Sequence, residues 1–207
     1  MIEIIPMAAQ LIGPVDPDAD LTKIETMART CYDSPMSETK EARDAFIRKL
    51  VQSGHESVIE HVCVSFMLTV PRSISHQIVR HRVGVAYSQQ SQRYVDLSKS
   101  ALQVIAPIPA LDNEAFIGWK SIVWKTAEIY NAMIASGVKP QQARSVLPNC
   151  AATKLGMTAN LRAWRHILKE RWINPAADPA IREVMGLVGA KLKDLYPPIF
   201  GDLPMVE

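Results

Sequence analysis

Residues 80–94 read "RHRVGVAYSQQSQRY", which packs three arginines, a histidine and a run of uncharged hydrogen-bonding side chains into fifteen residues. From His61 to Val95 there is no Asp, Glu or Lys, yet Arg72, Arg80, Arg82 and Arg93 all fall inside that window. A guanidinium is always charged, and its planar fork of donors suits a phosphate or a carboxylate. Arginines without local acids have two outlets, a ligand anion or acids from elsewhere in the chain, which carries 21. Tyr87, Ser88, Gln89, Gln90, Ser91 and Gln92 add hydroxyls and amides that can line an anion or a base edge.

A second basic group lies in "NLRAWRHILKER" at 160–171. Leu161, Trp164 and Leu168 form an apolar stripe, and Arg171 continues it in phase. A charge in line with a core stripe either snorkels to water or meets an anion. Arg162 and His166 share another face of that helix. His55, His61, His76 and His81 gather upstream, but H-x-x-x-H and H-E-x-x-H spacings are missing, so no metal site is expected. No Walker loop and no G-x-G-x-x-G occurs. The residues alone therefore describe an arginine-lined site for a small phosphorylated ligand, and they leave the reaction open.

Positioning such a site takes a core, and 207 residues, 48% of them hydrophobic, predict a single domain over 1–207. A formal net charge of +2 gives no support to nucleic-acid or membrane-surface binding. Three cysteines without C-x-x-C spacing do not form a disulfide framework. The first residues lack a secretory pattern and no apolar run is long enough to span a bilayer, so a cytoplasmic protein is expected.

"MIEIIP" reads as a first strand. Ser37 is the expected N-cap of a helix over 38–52, with Ala42, Ala45, Phe46, Lys49 and Leu50 on its apolar side. "HVCVSFMLTVP" is the clearest strand, with Val62, Val64, Phe66, Leu68 and Val70 on one face and Pro71 at its end. "RSISHQIVRHR" reads as a helix, and "VGVAYSQQS" as a loop with extended ends. Further helices are expected over 113–136 with Asn113 as N-cap, over 140–146, over 158–171 and over 179–195.

Taken in order, "GHESVIEH…HQIVRHRVGVAYSQQSQRY", "QQARSVLP" and "TANLRAWRHILKER" resemble the signature regions of the flavin-dependent thymidylate synthases, over about residues 29–195. That family is marked by R-H-R, a seven-residue spacer, a serine, and R-Y two residues on. Here the spacer is Val83–Gln90, eight residues, with the additional one assigned to "VGVA". "RWINPAADPAIR" also departs from the family pattern.

The resemblance implies an α/β fold of the α+β type, a central mostly antiparallel sheet flanked by helices. It implies a homotetramer with active sites at subunit interfaces, FAD as cofactor, dUMP as substrate, methylenetetrahydrofolate as carbon donor and NADPH as reductant. Ser57, Arg80, His81, Arg82, Gln89, Asn160, Arg162 and His166 match flavin-contacting positions. Gln77, Arg80, Gln89, Gln90, Ser91, Gln92, Arg93, Arg144 and Arg171 match nucleotide-binding positions, with Arg171 as the catalytic residue beside the N3/O4 edge of the pyrimidine. Gln89 stands where other members often carry Glu. Three alternatives stay open at this stage. They are a dUMP hydroxymethylase, motivated by the longer spacer, a non-catalytic flavin- or nucleotide-binding homologue, and, least supported, a phosphohydrolase.

Overall fold

The computed structural model describes residues 1–204. In chain order it contains β1 (Ile2–Ile4), β2 (Ala8–Ile12), α1 (Pro17–Thr30), α2 (Lys40–Gln52), β3 (Cys63–Pro71), α3 (Arg72–Ile78), β4 (Val85–Gln89), β5 (Leu102–Val104), α4 (Asn113–Ala135), α5 (Pro140–Ala143), β6 (Ala152–Asn160), α6 (Leu161–Leu168), α7 (Pro179–Leu195) and α8 (Pro197–Phe200). The fold is α/β. A four-stranded sheet has the order β2-β3-β6-β4, and β1 pairs with β5 in a parallel two-stranded sheet.

The register of the larger sheet is antiparallel where it matters for the site. Leu161 N–H donates to Val62 O and Arg72 N–H to Ala151 O, so β6 runs against β3. Asn160 N–H donates to Gly84 O and Gln90 N–H to Lys154 O, so β4 runs against β6. Along β3 the even-numbered residues from Val62 to Val70 are buried, as the alternation predicts. The sequence pattern does not predict β2, β4, β5, β6, α1 or the short α8, and "VGVAYSQQS" proves to be mostly strand rather than loop.

The chain divides into two compact units. The first comprises Met1–Ala8, Leu68–Arg80 and Ser88–Gly156. Its apolar cluster is Leu102, Val104, Val123, Ala127 and Ala151. α4 is capped by the Asp112 carboxylate on Ala115 N–H, one residue before the expected Asn113.

The second unit comprises Ala9–Met67, His81–Tyr87 and the chain from Met157 on. α1 starts where the Asp16 carboxylate accepts from Asp18 N–H and Ala19 N–H, with Pro17 at its first position. Thr39, not Ser37, caps α2. The Ser37 hydroxyl and N–H both donate to buried Glu25 instead. α2 buries Arg43, Ile47 and Val51 rather than the expected face, because Arg43 reaches Asp18 and Asp44 at 2.9 Å. Trp164 donates its indole N–H to Val64 O at 3.0 Å and meets Phe66 edge-on. Next to it, buried Arg165 is paired by Glu56 and Asp202 and donates to Ile199 O. Those acids outweigh the burial that opposes its charge.

The α6 helix starts later than the expected 158, because 158–160 still belong to β6, and it ends sooner than the sequence suggests. Lys169–Ile173 forms a π-turn, with Asn174 N–H donating to Lys169 O, five residues back. Trp172, not Arg171, therefore carries the buried stripe onward. Trp172 lies against α7, where a Cβ on Gly189 would come within 2.5 Å of the indole ring. Gly189→Ala is expected to destabilise the fold by roughly 1–3 kcal/mol through this overpacking, measured as a lower denaturant midpoint with unchanged m-value.

Candidate functional site

The first unit holds an arginine-rich group of the candidate residues. Arg72 opens α3, its N–H bonded to Ala151 O and its carbonyl accepting from the buried Ser75 hydroxyl at 2.8 Å. Its Nη1 is buried and has no hydrogen-bond partner among the described residues. Burial, and then the nearby Arg144 charge, lower its pKa from the ordinary arginine value. Two guanidinium groups close enough to repel form a site that an anion would stabilise. Arg144 itself is exposed in the 3-10 turn Arg144–Val146 after α5. Arg72 falls in the acid-free window but has no place among the site residues expected from the sequence. Its burial, invisible in the window, is what sets it apart.

The glutamine-serine loop belongs to the same unit. The Gln89 amide donates to Ser75 Oγ at 2.8 Å, which leaves its carbonyl oxygen as the available acceptor. Gln90 bonds Lys154 through both backbone and side chain. Ser91 Oγ accepts from Arg93 N–H at 3.2 Å, while the Arg93 guanidinium is exposed and lies over Tyr94. Gln92 is half-buried beside them. Gln77 and Arg80 lie at and just beyond the end of α3.

The second unit gathers the other group. A cavity of about 430 Å³ is lined by Glu56, Glu60, Gly84, Asn160, Arg162 and His166, with Val83 and Ala163. That volume is in the range of small-molecule sites. Asn160 ends β6 and caps α6, its side-chain oxygen accepting from Ala163 N–H at 2.8 Å. Arg162 is exposed and bonds Glu60 at 2.6 Å. Ser57 lies in the 3-10 helix Glu56–His61, and Arg82 is exposed in the turn before Gly84.

Next to this group, Arg171 donates its Nε–H to His81 Nε2 at 2.9 Å, and the His81 ring meets His166 edge-on with centroids 5.8 Å apart. His166 and Arg171 are five residues apart, a spacing that a regular α-helix turns to different sides. The π-turn brings both to His81. Burial first, and then the Arg171 charge, push the His81 pKa below its ordinary value. The Tyr87 hydroxyl donates to the His81 carbonyl at 2.7 Å, and burial raises the Tyr87 pKa to about 12.

Gly84 sets the approach of the loop to this cavity. Its φ is +69°, a conformation open chiefly to glycine, and a Cβ there would sit 2.6 Å from the Asn160 amide nitrogen. The additional spacer residue expected from the sequence falls in this same turn. Gly84→Ala is expected to disturb the Asn160 cap and lower stability by about 1–2 kcal/mol, read as a lower thermal midpoint; an unchanged midpoint would contradict the close approach.

Among the described residues no helix is long and apolar enough to cross a membrane, and no group of three or more His, Cys, Asp or Glu is placed to hold a metal ion. Cys31 and Cys63 are exposed, whereas burial raises the Cys150 thiol pKa.

Comparison with known proteins adds to this geometry. A family model described as thymidylate synthase complementing protein matches residues 15–198. The chain is 34% identical to a flavin-dependent thymidylate synthase of Mycobacteroides abscessus, covering 98% of this chain and 92% of the relative. It is 31% identical to a probable flavin-dependent thymidylate synthase of Mycobacterium phage D29, covering 92% and 88%. Among solved structures, the UMP/dUMP methylase PolB from Streptomyces cacaoi, bound with 5-Br dUMP, superposes with a TM-score of 0.80. That match has 21% identity over 95% of this chain and 93% of the other, and it is a likeness of fold.

Proposed function

The chain belongs to the flavin-dependent thymidylate synthase family, and from that premise we propose that it methylates dUMP at carbon 5 to give dTMP. It is an enzyme of the methyltransferase class. Methylenetetrahydrofolate is the carbon donor, NADPH the reductant and FAD the flavin in this reading.

The observation that carries the nucleotide half is the buried Arg72 Nη1, which has no hydrogen-bond partner among the described residues and lies near the Arg144 charge. A phosphate monoester supplies an acceptor for Arg72 and a charge opposite to both guanidinium groups. Arg93 and the N–H groups of the loop through Gln90, Ser91 and Gln92 complete the phosphate and sugar contacts, with Gln77 and Arg80 beside them. The carbonyl oxygen left available on Gln89 accepts a hydrogen bond from the bound ligand.

The flavin half rests on the cavity around Asn160, Arg162 and His166. Its residues fit parts of FAD: Arg162 offers a donor fork to phosphate, and the Glu56 and Glu60 carboxylates accept from sugar hydroxyls. Ser57, His81 and Arg82 border the same group of residues in sequence, and the Gly84 backbone allows a ligand to approach closely. Bound and reduced, FAD supplies the hydride of the reductive methylation.

What the chain itself contributes to chemistry is positioning and charge. Carbon 5 of uracil becomes nucleophilic as negative charge builds on N3 and O4. A guanidinium fixed at that edge stabilises the charge where it grows, and Arg171 takes this role. The raised thiol pKa of Cys150 disfavours the thiolate, which argues against a thiol adduct from that residue.

We infer a homotetramer in the cytoplasm. The self-association is supported by α4, which exposes Ile117, Ile122, Trp124 and Ile129 along one helix.

Incubating the purified protein with FAD, dUMP, methylenetetrahydrofolate and NADPH should yield a nucleotide heavier than dUMP by one CH2 unit on mass analysis. Recovery of unaltered dUMP would overturn the reading, and a product heavier by CH2O would replace methylation with hydroxymethylation. Arg72→Met should raise the dUMP KM roughly tenfold to a hundredfold, the loss of a charge-assisted contact, while leaving the flavin spectrum in place. An unchanged KM would remove Arg72 from the phosphate site.

A further inference from the structure

Arg171 differs from the acid-paired arginines of its unit, and from half-buried Arg182, which donates to the Trp172 carbonyl. Arg43 has Asp18 and Asp44, Arg165 has Glu56 and Asp202, and Arg29 has Glu25. Arg171 has an imidazole, with Nε–H donated to His81 Nε2 at 2.9 Å, and no carboxylate within ion-pair distance among the described residues. A carboxylate would fix the guanidinium and neutralise it. A neutral imidazole fixes it through one N–H and leaves the whole charge, and the Nη donors, for something else.

We propose that His81 is the positioning residue for Arg171: its neutral ring holds the guanidinium toward the ligand, and protonation of that ring releases it. The proposal rests on the reading that Arg171 meets the uracil edge. An imidazolium has no lone pair to accept from Arg171, and it places a second positive charge 2.9 Å from the first.

The surroundings of His81 hold it in the accepting form. His166 packs on the ring edge from α6. From the π-turn, Arg171 disfavours a charged ring and Glu170 favours one. From β4, the Tyr87 hydroxyl bonds the His81 carbonyl and fixes the backbone. Arg80 and Arg82 flank it in sequence. Burial and the cationic neighbours together keep the protonation midpoint below the ordinary histidine value. The contact is therefore intact at neutral pH and is lost as pH falls through that lowered midpoint.

The test has two arms on the full-length protein. In the first, 15N-imidazole NMR tracks His81 between about pH 5 and 8. The expected spectrum shows an unprotonated, accepting Nε2 with its proton on Nδ1, and the midpoint rises in Arg171→Gln because a neighbouring cation is gone. Equal midpoints in the two proteins would overturn the proposal, and this arm needs no substrate. In the second, turnover of dUMP is measured against pH. His81→Gln keeps an amide acceptor without titrating, so it should exceed His81→Ala in turnover at least about tenfold, with similar dUMP KM, and should lack the acid limb of the native enzyme. Equal turnover in the two variants, or an acid limb that persists in His81→Gln, would count against positioning. A coupled titration in a protein that never turns over dUMP would defeat the proposed reaction and leave the His81–Arg171 contact standing.

Discussion

The second unit hangs on the junction at the end of β6. Within two residues, Asn160 N–H bonds Gly84 O, the Asn160 side chain caps α6, and Leu161 N–H bonds Val62 O. Those bonds fix the beginning of β3, the turn before β4 and the first turn of α6 to one another. Each satisfies a backbone group that a strand end or helix start would otherwise leave open. The Gly84 backbone can lie that close to Asn160 only because it has no side chain. His81, three residues before this turn, and His166, on the helix it caps, inherit their positions from it.

Charge placement obeys a division of labour. Arginines that stabilise the fold have acids: Arg165 joins α6 to the chain after α8 through Asp202, and the Asp202 carboxyl is held below its usual range by the same bond. Three arginines offered to the nucleotide have weaker partners or none, whereas Arg162, offered to the flavin, bonds Glu60. The buried Nη1 of Arg72 is unpaired among the described residues, Arg93 lies over its own neighbour Tyr94, and Arg171 leans on an imidazole. An arginine kept from its acid is a standing cost to stability, of the kind expected at a site whose ligand brings the opposite charge.

How much of this the sequence discloses depends on whether polarity and period agree. β3 is legible because large apolar residues alternate without interruption, and α7 because its apolar residues recur at helical spacing behind Pro179. β6 alternates equally well in the structure, but its buried positions are Thr153, Leu155, Met157 and Ala159, of which two are small or polar enough to hide the period. α1 escapes sequence reasoning since its inward face includes Glu25, which reads as solvent-facing until Ser37 and Arg29 are seen to bond it. β4 is an edge strand carrying Tyr, Ser and Gln, whose polarity suits a loop as well as a strand. The candidate residues in 80–94 and 160–171 stand out by composition and by resemblance. Arg72 and the His81–Arg171 contact depend on burial and a π-turn, and neither is written in residue spacing.

The π-turn also makes the length of its helix a constraint, apart from the identity of its residues. Lys169–Ile173 accommodates one residue more than an α-helical path would hold. Were the same residues to close as ordinary α-helix, the chain beyond would be rotated by about 100°. Trp172 would leave its place against Gly186 and Gly189, and Arg171 would swing away from His81. Along this stretch the π geometry, and not residue identity alone, decides which side chains face His81 and α7. The segment behaves as a phase shifter, converting a count of residues into a direction.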